Sequence, residues 1–214
     1  MKIKLQVLTA LTTLFFCGSA LLSQAMAQDA DGFVTLNGKT DLGQLTTKGN
    51  WQVQADGSIK LTPRDGESGW TRYDMYLWAP KKYKDFIFDF EFMYEAKGNS
   101  GFYFHCADKK DPVKRGIEVQ IKDDFGKEEL GPHDMGGIIK TVGPSKNACK
   151  PAGEWNRMIV KVQDKKIKVT INGEVTTEFD LRTGKTKDRK ETGWIGIQDH
   201  GLPFSVRNLR VKEL

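Results

Sequence analysis

The sequence predicts an all-β fold, a single-domain two-layer sandwich or jelly roll, on three observations. Lys84–Tyr94 alternates strictly, with Phe86, Phe88, Phe90, Phe92 and Tyr94 on one face and Asp89 and Glu91 on the other. Period two over that length is a strand with one buried face. Shorter runs repeat the rule at Gly101–Cys106, Ile117–Lys122, Met158–Val162, Lys166–Ile171, Ile195–Ile197 and Phe204–Val211. Turn dipeptides stand where strands should end: Asp56-Gly57 between Val53 and Ile59, and Asn172-Gly173 between Ile171 and Val175. Both suit tight hairpins that need positive φ. No long segment spaces its apolar residues by three and four, so a helix is expected only as a short piece near Asp180–Thr183.

Composition agrees with a globular chain. Of 214 residues, 38% are hydrophobic and 29% charged, which excludes a disordered or collagen-like protein. The net charge of +5 is spread along the chain, so a nucleic-acid partner is not expected. Residues 1–27 read as a secretory signal peptide. Lys2 and Lys4 give the positive start, an apolar stretch runs from about Leu5 to Leu22, and Ala25-Met26-Ala27 supplies the small residues for cleavage after Ala27. The expected location is therefore periplasmic or secreted. The mature chain, residues 28–214, has no run that could span a bilayer. No linker or internal repeat divides it. Export would put Cys106 and Cys149 in an oxidising space, where a bridge would contribute about 4 kcal/mol in the chain-entropy model. Two separate buried thiols fit equally, because Cys106 shares strand parity with Phe102 and Phe104.

In Ile117–Lys122 the apolar residues Ile117, Val119 and Ile121 face one way and Glu118, Gln120 and Lys122 the other. The polar triplet is either solvated surface or the lining of a groove. Gln198-Asp199-His200-Gly201 follows a strand end. His200 suits proton transfer near neutral pH, or else caps a turn, with Asp199 beside it. His133 lies in the long Gly-rich stretch Asp123–Lys150, and loops of that length inside a compact domain are usually functional. His105 shares parity with Tyr103 and could reach the same groove, or be a satisfied half-buried histidine. Asn99 suits a sugar hydroxyl or a turn, and Arg207 suits substrate oxygens or an internal ion pair. Of the five Trp, most belong in the core, with Trp78 and nearby Tyr76 the better candidates for a sugar-stacking rim. Metal signals are weak. No histidines sit at chelating spacing, and Asp123-Asp124, which could bind a divalent cation, reads first as a solvated turn. No cofactor is expected.

Seven motifs in order resemble one family, the 3-keto-disaccharide hydrolases. They are Asp31–Lys39, Gly98–Phe104, Gly116–Ile121, Pro151–Asn156, Ile171-Asn172-Gly173, Gly196–Gly201 and Val206–Leu209. The resemblance spans essentially the whole mature chain and implies a concanavalin A-like jelly-roll sandwich acting on oxidised sugars. Two departures stand out: His105 where members often carry Arg, and no Trp in Asp41-Leu42-Gly43-Gln44. An ordinary glycosidase would need two flanking carboxylates. Jelly-roll glucanases carry theirs as Glu-x-Asp-x-x-Glu, whereas Glu118–Asp123 has Gln120 in place of the second acid and the shorter Asp123 in place of the third Glu. A 3-keto sugar needs less, because its ketone acidifies the C2 hydrogen; one base and donors to the enolate and leaving oxygens suffice. The reading is a hydrolase of 3-keto-disaccharides or 3-keto-glycosides. Glu118 and His200 are its expected catalytic groups, and Gln120, Asn99, His105, His133, Asp199 and Arg207 its expected substrate contacts. The alternative is a lectin-like, non-catalytic carbohydrate-binding domain on the same fold.

Overall fold

The computed structural model describes residues 29–214. The expected signal peptide lies outside the described residues. The first six strands are β1 (Val34–Thr35), β2 (Trp51–Val53), β3 (Ile59–Leu61), β4 (Leu77–Tyr83), β5 (Phe86–Tyr94) and β6 (Asn99–Cys106). After a one-turn helix α1 (Pro112–Arg115) come β7 (Ile117–Lys122), β8 (Asn156–Gln163), β9 (Lys166–Ile171), β10 (Glu174–Asp180), β11 (Gly193–Ile197) and β12 (Phe204–Glu213).

These strands form two antiparallel sheets, the jelly-roll sandwich that the alternation predicts. The larger runs β10-β9-β8-β5-β12-β3-β2, with β1 also paired to β12. The smaller runs β4-β11-β6-β7. Phe86, Phe88, Phe90 and Phe92 are all buried and project toward the smaller sheet. Phe102 of β6 meets Phe88 at 5.1 Å and Phe90 at 5.6 Å between ring centroids. Each fully buried side chain of this kind contributes about 1.5–3 kcal/mol, so the β5–β6 aromatic contact anchors the two layers. The two acids on the outward face of β5 are held by arginines. Asp89 is gripped by Arg157 and Arg210, and Glu91 by Arg207.

The hairpins form where the dipeptides place them. Asn172 and Gly173 both have positive φ, 51° and 89°, and close β9 onto β10 with Ile171 opposite Glu174. The helical piece expected near Asp180–Thr183 falls later, as a 3₁₀ turn at Gly184–Thr186, because β10 continues through Asp180.

Parity fails within β6, and this failure corrects two expectations. His105 has φ 50°, a left-handed backbone that inserts an extra residue in β6. Opposite β11, Tyr103 faces Gly196 while Cys106 faces Trp194, three residues against two. The bulge exchanges the two faces beyond it. His105 turns into the core against Phe86 and Phe104, and its Nε2 bonds the Lys84 carbonyl oxygen at 2.7 Å. Cys106 turns instead to the Tyr103 side and packs with Tyr76 and Trp78. Cys106 and Cys149 are separate buried thiols.

β7 would be an open edge, but the Gly-rich loop covers it. Gly136 N donates to Gln120 O, Gln120 N to Gly137 O, and Ile139 N to Glu118 O. An edge so paired cannot template aggregation. It also fixes the loop against the strand that carries Glu118.

Candidate active site

The outer face of the smaller sheet carries the polar residues of β6 and β7. Tyr103 and Glu118 are directly opposed across the two strands, as are Gly101 and Gln120. The Tyr103 hydroxyl donates to Glu118 Oε2 at 2.6 Å. Gln198, just past β11, donates its amide to the hydroxyls of Tyr76 (3.0 Å) and Tyr103 (3.4 Å). The Glu118 side chain lies over Gly101, where a Cβ would overlap its Oε1. Glycine is needed there for close approach, not for an unusual φ.

Glu118 and Gln120 open into a cleft of about 260 Å³. Asn99, Tyr103 and Gln198 share its floor, while His133, Ile139 and Lys140 border it from the covering loop. His200 and Trp70 border it from the opposite side. Gln120 Oε1 accepts from the Ile121 N–H at 3.0 Å, which leaves its amide hydrogens for the cleft. Burial pushes the Glu118 carboxyl up to about 7, against the opposing pulls of the Tyr103 hydroxyl and Lys140. A carboxylate poised near neutrality is suited to accept a proton. Burial lowers His200, with nearby Asp199 pulling the other way, so its imidazole is neutral at pH 7. Burial and the Glu118 charge drive the Tyr103 phenol far above its ordinary range. It stays protonated and can only donate to Glu118.

A clamp holds the His200 side of the cleft. Asp199 is fully buried and accepts two bonds from the Arg72 guanidinium, both at 3.2 Å, and one from Gly201 N at 2.7 Å. Arg72 also pairs with Glu67. Gly201, φ 73°, lets Ser68 pack directly on the backbone. The segment Glu67–Arg72, with Trp70 at its centre, is thereby tied to the loop that carries His200.

Residues 31–212 match the family described as the 3-keto-alpha-glucoside-1,2-lyase-like domain. The chain belongs to that family. A 3-keto-disaccharide hydrolase of Bacteroides thetaiotaomicron is 24% identical over 232 residues, 87% of this chain and 80% of the relative. A candidate glycosyl hydrolase of Parabacteroides distasonis shares the fold with a TM-score of 0.72 at 24% identity, covering 85% of this chain and 99% of its own. The carbohydrate-binding module CBM66 of Bacillus subtilis shares it at a TM-score of 0.55 and 11% identity, covering 85% and 94%.

In this member of the 3-keto-alpha-glucoside-1,2-lyase-like family, the structure gathers Glu118, Gln120, Asn99, His133 and His200 on one cleft. Three expected contacts lie elsewhere. His105 is in the core, through the bulge described above. Arg207 is on the other sheet, where it binds Glu91 and stacks on Trp155 at 4.0 Å. Asp199 faces Arg72 rather than the cleft, so it acts on His200 through its charge and the position of the loop, not by touching substrate. The aromatic rim is also corrected. Tyr76 and Trp78 are buried, whereas Trp70 is 47% exposed and borders the cleft. Trp70 follows Ser68-Gly69, a Gly-flanked aromatic in a polar loop, which was the available signal. Tyr103 was legible too, as the outward residue between Phe102 and Phe104.

Asp123-Asp124 is not a simple solvated turn. Asp124 is buried, accepts the Met135 N–H at 2.9 Å and pairs with Lys122. Asp134 is held low by Lys127, Gly131 N and Lys122, despite its burial. Both carboxylates are already neutralised by lysines. Among the described residues, no three His, Cys, Asp or Glu side chains cluster as a metal would need. No described helix is long and apolar enough to cross a membrane.

Proposed function

We propose that the protein cleaves the glycosidic bond of 3-keto-disaccharides or 3-keto-glycosides, with Glu118 as the base. The observation that carries this reading is a single half-buried carboxylate, raised to about 7, in a cleft whose other polar lining is three amides, two imidazoles, the Tyr103 hydroxyl and the Lys140 ammonium. No second acid lies among the residues lining that cleft, so the two-carboxylate route has no partner there.

Glu118 takes the C2 hydrogen of the bound sugar as a proton, and the electron pair moves onto the C3 oxygen. The amide hydrogens of Gln120 and Asn99 and an N–H of neutral His200 are available to donate to that enolate oxygen. Collapse of the enolate breaks the C1–O bond and leaves a 1,2-unsaturated 3-ketone. The proton on Glu118 passes to the departing oxygen. Water then adds at C1, and a proton returns to C2. The sum is hydrolysis, and arrest before water addition would make the same site a lyase. His133, on the covering loop, borders the cleft and would contact the bound sugar.

Export completes the proposal. Lys2, Lys4, the apolar run and Ala25-Met26-Ala27 direct the chain to the periplasm or outside, with cleavage before Gln28. N-terminal sequencing of the secreted protein should begin at Gln28; a mature form that keeps residues 1–27 contradicts this part.

The test of the reaction is to incubate the protein with a 3-keto-disaccharide and with its unoxidised parent, and to follow sugar release. Release from the oxidised compound alone supports the reading. Cleavage of both would indicate an ordinary glycosidase, and binding without cleavage a lectin-like domain.

A further inference from the structure

The cleft that holds Glu118 adjoins a second cavity of about 400 Å³. Tyr103, Val113, Glu118, Ile139 and Lys140 wall both. Glu118 thus stands between two chambers, as a group acting at the junction of two sugar units must. The chambers differ in charge. The first presents mostly neutral polar groups. The second adds Lys114, Lys185 and Arg189 to the shared Lys140, and Glu118 is the only carboxylate among its lining residues.

These cations lack close ion-pair partners. Among the described residues, no carboxylate lies within ion-pair distance of Lys140, Lys185 or Arg189, and Lys114 has only a long 3.7 Å contact with Asp111. Their backbones are nonetheless fixed. Thr186, buried beside Lys185, donates its hydroxyl to Leu181 O at 3.0 Å and Thr183 O at 2.9 Å. Arg189 N donates to Thr186 O at 2.9 Å. Lys140 sits at the tip of the tight Ile138–Val142 turn with φ 59°, a left-handed conformation that L side chains rarely adopt. The summed positive potential of these cations outweighs the one Glu118 carboxylate in the lining and attracts an anion that enters the cavity.

We propose that this second cavity is the leaving-group subsite and that it takes an anionic leaving group. The shared chemistry is a sugar bearing a carboxylate or a phosphate, bound chiefly by Lys185 and Arg189 with Lys140 at the boundary. This rests on the 3-keto-glycoside reading above and narrows it to substrates whose second unit is charged. Arg189 offers a planar fork that matches either anion, and Lys185 a point charge.

The test compares three 3-keto-disaccharides that share the oxidised unit and differ in the second: a neutral sugar, an aldonate and a sugar phosphate. At low ionic strength the anionic compounds should exceed the neutral one in kcat/KM by about tenfold or more, the effect of one charge-assisted hydrogen bond. The gap should narrow with salt. In Lys185→Ala/Arg189→Ala the ratio should fall to near one. The aldonate and phosphate arms show which anion fits better. A wild-type ratio of one, or an unchanged ratio in the double variant, overturns the proposal. Calorimetry with gluconate, inorganic phosphate and neutral glucose gives a readout free of turnover. Anion binding that the double variant abolishes, with no 3-keto compound cleaved, would keep the subsite and reject the reaction. Cleavage of the neutral compound with no anion binding or preference would keep the reaction and reject the subsite.

Discussion

Replacing Glu118 by Gln should make the protein more stable at alkaline pH and not at acid pH. Burial raises the carboxyl from 4.5 in the free side chain to about 7 in the fold. Between those values the folded chain binds a proton that the unfolded chain has released. Stability therefore falls as pH rises from about 4.5 to about 7, and stays reduced above. A shift of that size corresponds to about 3 kcal/mol. Glutamine keeps the volume and still accepts from the Tyr103 hydroxyl, but it cannot ionise. Urea unfolding of wild type and Glu118→Gln at pH 4 and pH 8.5 measures the difference. The variant's advantage should grow by about 3 kcal/mol between the two pH values, while its turnover drops about a hundred- to ten-thousand-fold. A stability difference that is flat in pH would show that Glu118 ionises normally, and the case for it as a base would fail.

Three further outcomes follow from the same geometry. Gly101→Ala places a methyl against Glu118 Oε1 in an ordinary strand conformation, so kcat should fall about a hundredfold while circular dichroism stays native; normal kcat would mean that the carboxyl position does not matter. Asp199→Asn breaks the buried Arg72 clamp, and should cost about 3 kcal/mol and raise KM more than it lowers kcat, since Asp199 does not border the cleft; unchanged KM would separate the clamp from the site. Arg207→Ala, on the far sheet, should leave kcat/KM within about twofold of wild type, and a large loss would put the substrate elsewhere.

How much of this was legible in the sequence depends on where tertiary contacts intervene. The five aromatics of β5 declare their face because one side of that strand is wholly buried and the other carries Asp89 and Glu91. Glu118 and Gln120 were legible for the same reason, since alternation in β7 is unbroken and sets them on one side. His105 was not, because one left-handed residue reverses parity and nothing in Phe104-His105-Cys106 announces it. Trp70 and Trp78 exchanged roles because exposure is decided by which loop folds over which. Trp78 pairs into β4 beneath Tyr76, while Trp70 rides on a segment fixed by the distant Asp199. Arg207 found its partner Glu91 across a strand pair, which sequence separation hides. The basic second cavity was likewise invisible, because it draws on α1, the covering loop and the Gly184–Thr186 turn.

The most direct test of the account is the fate of the C2 hydrogen. Wild type and Glu118→Gln are mixed with a 3-keto-disaccharide in heavy water, with a no-enzyme control for spontaneous exchange, and the released 3-keto sugar is analysed by mass spectrometry and NMR. The account predicts deuterium at C2 of the wild-type product above the control, and neither cleavage nor added exchange with Glu118→Gln. Cleavage with the C2 hydrogen fully retained, or normal labelled turnover by Glu118→Gln, would contradict it.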